Sequence, residues 1–81
     1  MRISVRLFAI LRDRAKVDAF DLELGESSTV ADALAGIAER YLSIVSLLPR
    51  VSTAVNREYV QADRILQDGD ELALIPPVSG G

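Results

Sequence analysis

Ile3, Val5 and Leu7 alternate with Arg2, Ser4 and Arg6, the period of two expected of a strand with one face buried. Phe20, Leu22 and Leu24 alternate with Asp21 and Glu23 in the same way, and Gly25-Glu26-Ser27-Ser28 then breaks the pattern, which ends a second strand. The segment between them, Arg12 to Asp18, is polar and short. It predicts a hairpin-like connection and antiparallel pairing of the two strands.

The period then changes. Thr29-Val30-Ala31-Asp32 fits the box in which a hydroxyl caps a helix start and an acid three residues on reaches back to a free backbone N–H. Val30, Leu34, Ile37 and Tyr41 follow on one face, with Ala33 and Ala38 beside them and Asp32, Glu39 and Arg40 elsewhere, so one helical stripe is buried. Gly36 interrupts this helix, and a close approach of its backbone to the sheet would account for a residue of low helix propensity. Ser43 to Arg50 carries Leu47, Leu48 and Pro49 without clean periodicity and reads as a loop or short helical turn that adds apolar cover.

Val51, Thr53 and Val55 form a third strand; Asn56-Arg57-Glu58 reverses the chain, and Tyr59-Val60 returns as a short fourth strand. Asp68-Gly69-Asp70 is a strong turn signal, and the β-rich run from Glu71 to Ile75 ends at two prolines that cannot continue a ladder. The order is β-β-α-β-β-β, an α+β fold with one helix across one face of a sheet. Residues 1–75 make the domain and 76–81 an extended tail.

Composition narrows the chemistry. The 81 residues suffice for one small domain, and apolar residues at 49% with charged residues at 26% are ordinary for a globular chain. There is no Cys and no His, which removes disulfides, thiolate nucleophiles, the usual zinc ligands and the commonest general base. Net charge is −3, but residues 1–16 hold five cations against Asp13 alone, while the remainder holds four against eleven acids. That basic segment is either a solvated edge or a docking patch. An acidic chain without basic-aromatic interleaving is a poor nucleic-acid binder. The apolar run from Leu7 to Leu11, flanked by Arg6 and Arg12, is too short for a signal-peptide core or a membrane span. A cytoplasmic location without membrane contact is expected.

Pro76-Pro77-Val78-Ser79-Gly80-Gly81 follows the last strand directly. Two prolines stiffen an extended path, and six residues at about 3.3 Å each reach roughly 20 Å. Gly80 and Gly81 carry no Cβ, so backbone could pass through a channel closed to ordinary side chains and the terminal carbonyl carbon is unhindered. A carboxylate, with a reference pKa near 3.5, resists nucleophilic attack and must be activated from outside. Transfer of AMP from ATP gives an acyl-adenylate that a sulfur or nitrogen nucleophile can attack. A chain without Cys or His implies a separate ATP-using enzyme for that step, and no cofactor bound to the chain itself. A terminal Gly-Gly alone is also what a frayed end looks like; its place after Pro76-Pro77 favours the functional reading.

Phe8-Ala9-Ile10-Leu11-Arg12-Asp13, Ala54-Val55-Asn56, Asp68-Gly69-Asp70-Glu71 and the whole tail from Pro76 to Gly81 resemble the small, sulfur carrier subunit of molybdopterin synthase. The resemblance runs from end to end. It implies a ubiquitin-like β-grasp fold, a mixed five-stranded sheet with the first and last strands side by side. It also implies that Gly81 is adenylated by a ubiquitin-activating-like adenylyltransferase, converted to a thiocarboxylate with sulfur from a donor enzyme, and inserted into the large synthase subunit. There it would supply sulfur to the cyclic pterin precursor, in an assembly of two small and two large subunits, with the catalytic lysines and arginines on the large subunit.

On the same resemblance Phe8, Tyr59 and Ile75 match apolar positions that contact the activating enzyme or the large subunit, although Tyr59 stands where leucine is common. Phe8 and Ile75 are out of phase with Leu7 and Leu74 and either line the sheet face opposite the helix or belong to the core. Arg12, beside this patch, either pairs with an acid on the partner or is a solvated arginine. Competing readings are a sulfur carrier for thiamine synthesis or tRNA thiolation, and a ubiquitin-like modifier joined through Gly81 to a lysine.

Overall fold

A computed structural model describes residues 1–77. Strands β1 (Arg2–Leu7), β2 (Ala19–Glu23), β3 (Ser52–Val55), β4 (Glu58–Val60) and β5 (Glu71–Ile75) form one sheet in the order β2-β1-β5-β3-β4. β1 pairs antiparallel with β2, in the register Val5↔Phe20, and parallel with β5, in the register Val5↔Leu72. All other neighbours are antiparallel.

The observed order departs from the expected one between β1 and β2. In place of a hairpin-like connection the chain forms helix α1 (Ala9–Ala15). Leu11 and Ala15, one helical turn apart, are both buried, which anchors one face against the core while Arg12, Asp13 and Arg14 face solvent. Lys16 closes α1 in the left-handed conformation at φ 66°, its N–H donating to the Arg12 carbonyl at 2.9 Å.

Helix α2 (Val30–Arg40) starts at the expected box. The Asp32 N–H donates to Thr29 Oγ1 at 3.2 Å, and the Thr29 N–H donates to Asp32 Oδ2 at 2.9 Å. Val30, Ala33 and Ile37 are buried, with Leu34, Ala38 and Tyr41 packed beside them. Tyr41 meets Phe20 of β2 at 4.7 Å between ring centroids, tying the end of α2 to the sheet. Leu42–Arg50 is a 3₁₀ segment whose Ile44 and Leu48 are buried, the apolar cover expected there.

The core lies between one sheet face and the helices. Ile3, Val5 and Leu7 of β1, Leu22 of β2, Val55 of β3 and Leu72 and Leu74 of β5 meet Val30, Ala33 and Ile37 of α2. Gly36 does not mark an unusually close approach. A Cβ built there would lie 3.8 Å from the Leu22 methyls, ordinary van der Waals contact. Gly36→Ala is therefore expected to stabilise the fold by about 0.5–1 kcal/mol, read as a higher urea midpoint with an unchanged slope. A lower midpoint would show that the helix and sheet cannot accept even a methyl group.

The Asp68-Gly69-Asp70 turn is fastened from three sides. Gly69 adopts φ 86° and its N–H donates to the Arg2 carbonyl at 2.8 Å, while the Arg2 N–H donates to Asp68 Oδ1 at 2.8 Å. Asp70, only 8% exposed, accepts from Asn56 Nδ2 at 3.0 Å and from the Gln67 N–H at 2.8 Å. Asn56 Oδ1 in turn accepts from the Glu71 N–H at 2.9 Å. Asn56 thus joins the β3–β4 turn to the start of β5.

Candidate functional site

Residues of β1, β3, β4 and β5 that alternate with the core residues emerge on the sheet face away from α2. The strand registers place Arg6, Ala73, Ala54 and Tyr59 in one row across four adjacent strands. Two alanines in the middle of the row leave a low floor between larger neighbours. Phe8, Tyr59 and Ile75 rise around it, and Pro76 and Pro77 continue along its edge. The result is a groove of about 630 Å³, with Arg6, Arg57 and Glu71 also at its lining.

Backbone geometry aims several of these groups. Ala9 sits at φ 51°, a left-handed conformation that costs an L-residue roughly 1–2 kcal/mol. It turns the chain from β1 into α1 directly after Phe8, which remains 37% exposed. The Arg6 guanidinium lies over the Phe8 ring at 5.5 Å from the centroid, within cation–π range. Tyr59 is 74% exposed and projects from the edge strand β4, opposite Ala54.

The expected site residues divide into three groups. Phe8, Tyr59, Ile75, Pro76 and Pro77 come together in the groove, and of the two placements open to Phe8 and Ile75, the face opposite α2 is the one observed. Arg12 is not in the lining; it lies exposed on α1 with Nε 3.6 Å from Asp13 Oδ1. Val78, Ser79, Gly80 and Gly81 lie outside the described residues. The basic N-terminal segment is split by the fold: Arg2 is ion-paired to Glu23 at 2.8 Å, and Arg6 reaches the groove.

Arg6, Ala9, Ala54, Arg57, Glu71 and Ala73 complete the lining without having been singled out from the sequence. The signal for Arg6, Glu71 and Ala73 was present, since each is out of phase with the buried residues of its own strand. Among the described residues no cluster of three or more His, Cys, Asp or Glu could hold a metal ion, and no helix is long and apolar enough to cross a membrane.

A family model described as the ThiS family matches residues 5–81. The chain belongs to the ThiS family. Among its relatives, the molybdopterin synthase sulfur carrier subunit of Chlamydomonas reinhardtii is 41% identical over 83 residues, covering all of both chains. The fold is the ubiquitin-like β-grasp. The crystal structure of small archaeal modifier protein 1 from Haloferax volcanii superposes with a TM-score of 0.92 at 28% identity, covering all of both chains. A protein–protein complex of subunits 1 and 2 of the molybdopterin-converting factor from Helicobacter pylori contains a chain with a TM-score of 0.73 at 26% identity, again covering all of both chains. In this ThiS-family chain, the matched segment thus includes both the groove and the Gly80-Gly81 pair.

Proposed function

We propose that this chain is the sulfur carrier subunit of molybdopterin synthase, that its open sheet face docks on the large subunit, and that the carboxyl carbon of Gly81 bears the sulfur. The observation that carries the reading is the end-to-end similarity to a molybdopterin synthase sulfur carrier subunit, which extends through Gly80-Gly81. The pairing of subunits in the Helicobacter pylori complex supports a large-subunit partner. The groove leads from Tyr59 and Phe8 to Pro76 and Pro77, so a partner seated on it would lie where the tail begins.

The chemistry assigned to Gly81 needs two displacements. A carboxylate oxygen attacks the α-phosphorus of ATP and pyrophosphate leaves, giving the acyl-adenylate. Hydrosulfide released from the sulfur donor then attacks the carbonyl carbon and AMP leaves, giving a thiocarboxylate whose sulfur can be passed to the pterin precursor while water returns the chain to a carboxylate. The activating enzyme and the sulfur donor supply ATP chemistry and sulfur; this chain supplies a glycine carbonyl with no Cβ beside it.

The test is reconstitution. The sulfur-charged chain, mixed with a molybdopterin synthase large subunit and the cyclic pterin precursor, should yield molybdopterin with loss of sulfur from the chain. Transfer of sulfur to a thiazole precursor or to tRNA, with none to the pterin, would contradict the assignment. The similarity to a small archaeal modifier protein supports a second reading, in which Gly81 forms an isopeptide bond with a lysine. Conjugates appearing in place of molybdopterin would establish it.

A further inference from the structure

The β3–β4 turn carries an arginine where the backbone favours glycine. Asn56 and Arg57 have φ of 50° and 73°, the pair of positive values that defines the two-residue hairpin turn best served by Asn-Gly. A long β-bearing side chain at the second position is strained. Nothing inside the described fold repays that strain: Arg57 is exposed and makes no side-chain hydrogen bond or ion pair among the described residues. It instead lines the groove, together with Arg6, Ala54 and Ala73.

Arg6 is also without an acidic partner among the described residues and stacks on Phe8. Glu71 lies in the same lining but pairs with neither arginine. The groove therefore offers an apolar floor with two guanidinium groups and one carboxylate at its lining, none of them ion-paired, a local excess of positive charge on a chain of net charge −3. A guanidinium fork suits a carboxylate in two-point contact.

We propose that Arg57 is a specificity-determining contact for the large subunit, pairing with a carboxylate that the partner presents beside an apolar side chain seated on Ala54 and Ala73. This rests on the docking reading given above. The turn places Arg57 at the groove margin, where attraction to the partner's carboxylate steers encounter and disfavours partners lacking the acid.

The substitution Arg57→Gly separates stability from recognition, because glycine relieves the backbone while removing the charge. Its melting temperature should equal or exceed that of the unsubstituted chain. Its Kd for the large subunit, by calorimetry at low salt, should rise about three- to tenfold, with a shallower dependence on salt. Arg57→Glu should weaken binding further, and Arg57→Lys, which keeps the charge without the two-point fork, should restore only part of it. Equal affinity and equal salt dependence for the unsubstituted, Gly and Glu chains would overturn the assignment of Arg57 while leaving the docking reading intact. No binding by the unsubstituted chain would overturn the docking reading, and this inference with it.

Discussion

Deleting Gly81 is expected to lower the rate of charging with sulfur by at least about 10²-fold while leaving the melting temperature unchanged. The deletion moves the carboxylate back by one residue, about 3.3 Å along an extended chain. Attack on the α-phosphorus of ATP requires reacting atoms in near contact, and a misplacement of even about 1 Å can cost 10²-fold in rate. The proline pair Pro76-Pro77 resists compensation, because it restricts the slack that a softer linker would offer. The core residues, the last of them Leu74 of β5, are untouched by the change. Charging followed by intact mass, with thermal melting run alongside, checks both halves; normal charging of the shortened chain would remove Gly81 from the mechanism.

The largest effect on the domain itself is expected at Asp70. Its carboxylate accepts from Asn56 Nδ2 and from the Gln67 N–H in a site where the residue is 8% exposed. Asp70→Ala removes two hydrogen bonds to a charged acceptor, at a combined cost of about 3 kcal/mol. That is a large part of the ~5 kcal/mol typical of so small a domain. The melting midpoint should fall by on the order of 15 °C, given roughly 4–8 °C per kcal/mol at this size. Asp70→Asn keeps the shape but turns one acceptor into a donor, so an intermediate loss is expected. A midpoint within a few degrees of the original for Asp70→Ala would show that the turn does not depend on this network.

The same network links stability to the site. Asn56 bonds Asp70 and the Glu71 N–H, and it directly precedes Arg57. Asp70 directly precedes β5, which carries Ala73 and Ile75 into the groove and leads to Pro76. The turn that begins the last strand therefore fixes both the strained arginine and the register of the groove floor.

The elements that could be read in the sequence are those with a repeated period or a reciprocal local contact. Helix α2 announces itself through Thr29, Asp32 and the spacing of Val30, Leu34 and Ile37. Each strand shows either alternation or a bounding turn. Helix α1 does not, because seven residues give only Leu11 and Ala15 as buried anchors, and Leu11 sits inside an apolar run that reads as a continuation of β1. The parallel pairing of β1 with β5 joins segments more than sixty residues apart, and no local period encodes it; the family resemblance did.

For the site, the phase of Phe8 and Ile75 against Leu7 and Leu74 left two faces open, and the sheet chose the one away from α2. The family resemblance sets Arg12 beside the patch, but helix α1 carries it exposed and outside the groove lining. Arg57 carries no signal in the sequence beyond its place in a turn, since its meaning depends on a φ of 73° and on which strands flank it.

The proposed sulfur carriage rests on the carboxyl carbon of Gly81. The most direct test is the intact mass of the chain after incubation with a ubiquitin-activating-like adenylyltransferase, ATP and a sulfur donor, followed by fragmentation of the C-terminal peptide. A gain equal to one oxygen replaced by one sulfur is expected, carried entirely by the fragment that contains Gly81 and dependent on ATP. An unchanged mass under conditions that charge a known carrier, or sulfur found on any other residue, would contradict it.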